Sequence, residues 1–265
     1  MVEGLEIKDV NLENLGDLIN LCIPPERRDD PLFIKGARVK RRWTVKALEK
    51  YGSIAKLAYL GSKPVGLIQY KPNIEERIVE ISCIFVPERE NLRKGIGSSL
   101  LKALIEDMRR PKPYFGGRPP DALLARAFEV PGLYPQHKFY QRRGFKNVKK
   151  DNPFLLYYPL KEGYVYRPRE KRTEYIPQEE DMGKALIFHS SSCPFSVYFA
   201  EKTRELIKKV IPEIPVRIIN KFEEPEEVKK RGDVPFCVVN GRQIKSFFMD
   251  KENFQREVKE ALEQT

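Results

Sequence analysis

The sequence predicts an α/β protein with a mixed sheet over residues 1–160 and a second, smaller α/β unit over residues 184–265. Three observations predict it. Apolar runs of strand length recur along the chain, separated by amphipathic helical stretches. A chain of 265 residues has room for two domains. Between them, residues 161–183 (K-E-G-Y-V-Y-R-P-R-E-K-R-T-E-Y-I-P-Q-E-E-D-M-G) are charged, tyrosine-rich and poor in aliphatic residues, as a linker ordered by its tyrosines would be.

Composition narrows the function classes. Hydrophobic residues make up 41% of the chain, enough for ordinary cores. No apolar run reaches the roughly 18 residues of a membrane span, and the N-terminus lacks the basic and apolar regions of a signal peptide. A cytosolic protein with no membrane partner is expected. Four cysteines (Cys22, Cys83, Cys193, Cys237) are too few and too scattered for a disulfide framework or a zinc site, and two histidines argue against a histidine-based metal centre. The net charge of +11 sits in the first part: residues 1–160 hold 29 basic and 19 acidic side chains, residues 161–265 hold 20 and 19. An anionic ligand or partner is expected there. One basic cluster without interleaved aromatics argues against nucleic acid.

The elements follow in order. Leu5–Val10 reads as a strand, and Asn11 or Asn14 caps a helix holding Leu15, Leu18, Ile19 and Cys22. Pro24-Pro25 stops it, and residues 26–37 read as a loop. A basic helix follows, with Arg38, Lys40, Arg41, Arg42 and Lys46 around Trp43, Val45 and Leu48. It is either a solvated charged face or the rim of a site that favours acidic substrates. Ile54–Leu60 and Val65–Tyr70 are strands joined by Gly61-Ser62-Lys63-Pro64.

The next stretch, Val79 to Leu101, organises the rest. Simple alternation puts Val79, Ile81, Cys83 and Phe85 on one face and Glu80, Ser82, Ile84 and Val86 on the other. Pro87 ends the strand. Gly95-Ile96-Gly97-Ser98 then opens an amphipathic helix carrying Leu100, Leu101, Leu104, Ile105 and Met108. A strand, a glycine turn and a helix N-terminus form an anion site, because the first helical amides have no internal partner. Arg93 and Lys94 add full charges, and Ser98 adds a hydroxyl. There is no G-K-[ST] for a P-loop and no full dinucleotide fingerprint. After the helix come a Pro/Gly loop (111–120), a strand from Asp121 to Phe128, a short helix closed by Gly144, and a strand from Phe154 to Tyr158.

This stretch resembles motif A of the GCN5-related N-acetyltransferases (GNAT), R/Q-x-x-G-x-G/A, with the R/Q position on Leu92 and the arginine one residue later at Arg93. F-Y-Q-R-R-G-F (Phe139–Phe145) resembles the same family's F-Y-x-x-x-G-F. The resemblance implies the GNAT fold over residues 1–160 and acetyl-CoA as cosubstrate. It implies a pyrophosphate held by the loop of Arg93, Lys94, Gly95, Ile96, Gly97 and Ser98, with the strand at Ile84, Phe85 and Val86 alongside the cofactor. It places Glu80 at the family's strand glutamate, the general base in some members, and Tyr140 at the general-acid position. Glu80 reads equally as a strand-end carboxylate facing solvent or a lysine, and Tyr140 also reads as an aromatic packing on the cofactor. A strand amide near Ile84 or Val86 is the expected oxyanion donor.

In the second unit, a strand (Ala185–His189) leads through Cys193-Pro194-Phe195-Ser196 into a helix. Pro215–Asn220, Pro225–Arg231, Val234–Gly241, Ile244–Met249 and Lys251–Leu262 follow as strand, helix, strand with hairpin turn, strand and helix. C-P-F-S resembles a thioredoxin or glutaredoxin C-x-x-C with its second cysteine replaced, and Val234-Pro235 resembles that family's cis-proline. The pairing of the two units resembles the YoaP-type acetyltransferases. Cys193 is the candidate redox thiol, with no resolving cysteine in its motif. The function expected is acetyl transfer from acetyl-CoA to a primary amine, on a small molecule, a peptide N-terminus or a lysine, by direct attack in a ternary complex. The acceptor is acidic or carried on a protein, and its identity and the oligomeric state, a dimer included, stay open. The alternative is a thiol-redox or adaptor protein whose first half senses acyl-CoA.

Overall fold

The structure is a computed structural model and describes residues 3–129, 134–168 and 174–263. It divides into two compact units, Met1–Cys22 with Thr44–Pro168 and Ile23–Trp43 with Arg169–Thr265.

The first unit is built on a seven-stranded sheet. Its chain runs β1 (Leu5–Asp9), α1 (Leu15–Leu21), α2 (Pro31–Tyr51, of which residues 31–43 belong to the second unit), β2 (Ala55–Leu60), β3 (Lys63–Asn73), β4 (Ile78–Phe85), α3 (Ile96–Met108), β5 (Ala122–Arg126), α4 (Gln136–Gln141), β6 (Lys146–Lys149) and β7 (Asn152–Pro159). Strand order is β1-β2-β3-β4-β5-β7-β6. The first four strands form an antiparallel meander, β4 and β5 pair in parallel, and β7 closes antiparallel on β5. The core packs α3 through Ile96, Leu100, Leu101, Leu104 and Met108 onto Ile68, Tyr70, Val79, Ile81, Leu123 and Ala125. On the opposite face Tyr166 packs on Ile78, Ala122, Leu124 and Tyr157, and its hydroxyl donates to Glu76 at 2.8 Å.

The second unit carries a four-stranded sheet, ordered Arg242–Ile244, Cys237–Val239, Ala185–His189, Val216–Asn220. It comprises β8 (Ala185–His189), α5 (Pro194–Val210), β9 (Val216–Asn220), α6 (Pro225–Lys229), β10 (Cys237–Val239), β11 (Arg242–Ile244) and α7 (Lys251–Glu263). β8 and β9 are parallel across α5, and the other pairs are antiparallel. The Asn240-Gly241 turn has φ of 49° and 73°, the left-handed pair that a two-residue hairpin needs. The first turns of α2 lie on this unit. Phe33 stacks edge-on to Phe195 with ring centroids 4.9 Å apart, and a Cβ on Gly36 would come within 2.4 Å of the Pro194 carbonyl oxygen.

Four expectations need correction. Residues 26–37 are not a loop: α2 starts at Pro31, where proline suits the first helical position and the Asp30 carboxylate accepts the Leu32 amide at 2.9 Å. The short strand β6 was not expected. β11 covers Arg242–Ile244 rather than Ile244–Met249, because the tight Asn240-Gly241 turn starts the return strand at once. No peptide bond among the described residues is cis, so Val234-Pro235 is trans. No helix among the described residues is long and apolar enough to cross a membrane, and none of their side chains form a three-residue metal cluster.

Asp181 anchors the segment leading into β8. It is fully buried, receives Arg231 Nε at 3.1 and 3.0 Å, and accepts the Tyr175 hydroxyl at 2.6 Å. Burial opposes its ionisation, but the Arg231 and Tyr175 hydrogen bonds win and hold the carboxyl below its usual value. A carboxyl with a lowered folded-state value stabilises the fold above the unfolded value, near pH 4, and loses that contribution as pH falls through the lowered one. Asp181→Asn removes the fully buried one of the three carboxylates on Arg231 and leaves Glu180 and Glu227 at 2.8 and 2.9 Å. It is expected to cost about 1–3 kcal/mol in urea melts and to flatten the pH dependence below about pH 4.

Candidate active site

The site begins where β4 leaves β5. The two strands pair only from Ile78↔Ala122 to Ile81↔Ala125. β4 then runs on to Phe85 without a β5 partner, while β5 stays on β7 through Arg126. The cause is a bulge. Gln69 pairs with Cys83 and Tyr70 with Ile81, so Ser82 is one residue too many. Its hydroxyl donates to the Gln69 carbonyl at 3.1 Å and accepts the Gln69 side-chain amide at 3.3 Å.

The bulge also overturns the simple alternation. Beyond Ser82, Ile84 and Val86 join Val79 and Ile81 against α3, while Cys83 and Phe85 come round to the face of Glu80. Backbone groups of β4 that point toward β5 lack a strand partner over this stretch, which makes them ready donors and acceptors for an extended ligand.

The N-terminus of α3 faces this opening. Gly95 caps it in the left-handed region (φ 89°) with no side-chain cap, and the Ser99 amide is the first to find a helical carbonyl, Gly95 O at 2.9 Å. The amides of Ile96, Gly97 and Ser98 are thus free of helix partners. Arg93 is also left-handed (φ 62°), an uncommon conformation for a residue with a side chain, and it turns the loop tightly onto the helix start. Ile96 is buried in the core beneath, which fixes the turn from below. A Cβ on Gly97 would lie 3.5 Å from the Phe139 ring and 3.9 Å from Ile84 Cδ1, so the loop, β4 and α4 meet here.

Arg143 is the residue that sequence reasoning missed. It donates to Ser98 Oγ from Nε at 3.1 Å and from Nη2, donates to the Phe139 carbonyl at 2.8 Å, and lies 3.9 Å over the Phe139 ring. Burial and Arg142 hold its pKa below the ordinary arginine value, yet it stays a cation at neutral pH. The N-terminus of α3 is thereby served by Arg93, Lys94 and Arg143 together with its own dipole. The signal was the second arginine of R-R-G, one residue before the left-handed Gly144 (φ 86°).

Tyr140 is 2% exposed, stacked between Phe139 and Phe145 at 5.3 and 5.0 Å, and its hydroxyl bonds to no described side chain or backbone group. Burial, then the nearby Cys83, pushes its pKa well above the ordinary phenol. Glu80 lies on the other face of β4. Its carboxylate accepts Asn73 Nδ2 at 3.3 Å and pairs with Lys71 at 3.1 Å. The structure therefore gathers Ile84, Val86, Ile96, Gly97, Ser98 and Tyr140 on one side and sets Glu80 and the 41%-exposed Phe85 on the other. Cys193 is exposed at the start of α5 in the second unit, where its carbonyl accepts the Ser196 hydroxyl at 2.7 Å. Cys237 is buried in that unit's core, and burial, with Glu257, pushes its thiol up to about 12.

Gly95→Ala tests the loop geometry without crowding, since nothing lies within 4 Å of the new methyl. The left-handed φ alone is expected to cost about 1–2 kcal/mol in denaturant melts.

No curated protein matches the chain. Solved structures do. A PaiA N-acetyltransferase from Thermoplasma acidophilum, in complex with coenzyme A, is 16% identical over 58% of this chain and 98% of its own, with a TM-score of 0.42. A GNAT-family acetyltransferase from Staphylococcus aureus Mu50 is 18% identical over 59% and 99%, with a TM-score of 0.43. A Pyrococcus horikoshii protein described as an acetyltransferase is 17% identical over 56% of this chain, with a TM-score of 0.40, and the chain spans 45% of its length. The model of the acetyltransferase (GNAT) family matches residues 14–145, a span that contains the glycine loop, the bulged strand and Tyr140. Residues 14–145 form an acetyltransferase domain of the GNAT family.

Proposed function

We propose that the first unit moves the acetyl group of acetyl-CoA to a primary amine by direct attack in a ternary complex. The parting of β4 from β5 beside the uncapped start of α3 carries this reading. The free amides of Ile96, Gly97 and Ser98 suit a pyrophosphate, with Arg93 and Lys94 as exposed cations and Arg143 behind Ser98. The pantetheine arm, an extended amide chain, suits the unpaired edge of β4 from Ser82 toward Val86, and an amide of that edge is placed to donate to the thioester oxyanion.

The acceptor nitrogen attacks the thioester carbon and the C–S bond breaks. The thiolate takes the Tyr140 proton, and the amine proton passes to Glu80, directly or through water. Tyr140 is neutral at working pH because burial disfavours the phenolate. The same dry surroundings make the departing thiolate more basic, which brings donor and acceptor closer in strength. Glu80 is held by Lys71 and Asn73, so an incoming ammonium takes the place of Lys71. An acceptor carrying acidic groups also fits the basic surroundings of this unit.

For the second unit we favour a thioredoxin-like, YoaP-type reading. Its support is the β8-α5-β9 crossover followed by the β10–β11 hairpin and α7, with Cys193 and Ser196 at the start of α5. Cys193 would then act by mixed disulfide, since Ser196 supplies no resolving thiol.

Calorimetric titration with CoA should show binding, and Arg143→Gln should weaken it about tenfold or more. Tyr140→Phe and Glu80→Gln should each lower kcat about a hundredfold with the KM for acetyl-CoA unchanged. Absence of heat with CoA would overturn the cofactor assignment. Full turnover in both variants would overturn only the proton roles.

A further inference from the structure

The face of the first sheet that carries Glu80 is covered at one end and open at the other. Ile78 and Glu80 of β4, Leu124 and Arg126 of β5, and Leu155 and Tyr157 of β7 share it, with Glu80 opposite Leu124 and Arg126 opposite Leu155. The segment after β7 folds back over the first end. Tyr166 is 6% exposed on Ile78, Ala122, Leu124 and Tyr157, Tyr164 packs beside it, and the Tyr166 hydroxyl is tied to Glu76. At the other end Phe85 and Arg126 are exposed.

The ladder that opens the slot also places Arg126. Pairing of β4 with β5 ends at Ile81↔Ala125, so Arg126 is the first residue of β5 past the last rung. Ala125 packs toward α3 and Leu124 beneath Tyr166, so alternation sets Arg126 on the Glu80 side. Glu80 and Arg126 are diagonal neighbours, roughly 7–8 Å apart along the backbone. The Tyr166 phenol lies within range of both. Burial, then the Glu76 bond and the charges of Glu76 and Glu80, raise its pKa, and Arg126 opposes them. Neighbouring charges are engaged: Lys71 on Glu80 at 3.1 Å, and Arg77 on Asp121 at 3.0 and 2.6 Å.

Acetyl transfer already dictates one group of the acceptor, an amine where the strands part. Because Tyr166 closes the first end, the atoms beside that amine lie over the open end, between Phe85 and Arg126. A guanidinium fork there matches a carboxylate in two hydrogen bonds. Glu76 and Glu80 repel further negative charge, which favours a monoanionic carboxylate over a phosphate dianion. We propose that the acceptor is a free amino acid whose carboxylate is held by Arg126 while its amine faces the thioester. This rests on the transfer reading above and names its substrate class.

The test uses the full chain, acetyl-CoA and a panel of free amino acids, each paired with its primary amide. Acetylated product is measured by mass spectrometry, and rates are corrected for the fraction of free amine. The best acid should exceed its amide in kcat/KM at least about tenfold. Arg126→Gln should abolish that gap by lowering the rate of the acid, with the melting temperature and CoA affinity unchanged, and Arg126→Lys should restore part of it. A purely structural role would slow acid and amide alike. Equal rates for acid and amide, an equal loss of both in Arg126→Gln, or transfer to peptides alone would each overturn the assignment while amine acetylation stands. Binding of CoA with no amine acetylated would overturn the transfer reading and this proposal with it.

Discussion

One extra residue in one strand governs the first unit. Ser82 cannot be matched across β3, so β4 twists away, and its ladder with β5 ends at Ile81. In most sheets an unmatched parallel pair is a defect that a helix or loop must cover. Here the loss of ladder hydrogen bonds creates a slot lined by main chain, and the start of α3 sits against it. The same bulge turns Ile84 and Val86 into the core, so the slot is held open by packing rather than by charge. Glycine at 66 permits this: a side chain there would press on Ile96, Val86 and Leu100 at 3.1–3.3 Å.

Electrostatics then sorts the two faces of β4. On the α3 side, the helix dipole, Arg93, Lys94 and Arg143 concentrate positive potential over uncapped amides. On the Glu80 side, the carboxylate is balanced by Lys71, and Phe85 is partly open to solvent. A thioester lying in the slot would have its charged tail on one face and its reacting carbon within reach of the other. Division of labour between the faces is thus a property of sheet geometry, with the side chains added to it.

Much of this was legible in the sequence, and the gaps have physical reasons. The glycine pair, the helix after it and the aromatic F-Y of α4 are local signals, and each is found where its spacing placed it. The bulge has no local signal, because Ser82 differs from its neighbours only in what β3 offers it; alternation therefore put Cys83 and Phe85 on the wrong face. Arg143 was overlooked because its value depends on α4 meeting α3, a contact between residues 45 apart. The start of α2 was readable in Asp30-Pro31 as a cap followed by a first-turn proline, a local signal that the loop reading of residues 26–37 did not use. The placing of Arg126 lay beyond reach, since the ladder that ends just before it joins residues 78–81 to 122–125, far apart in the chain.

Gly36 ties two distant stretches together. Its missing side chain lets the backbone of α2 touch the backbone of Pro194, and the obstacle to any methyl there is main chain, which no rotamer change can move aside. Lineages that vary the thiol turn must therefore keep glycine in a helix more than a hundred residues upstream, or abandon that contact altogether. A paired loss of the glycine and of the Cys-Pro-Phe-Ser turn is the evolutionary signature such a joint would leave.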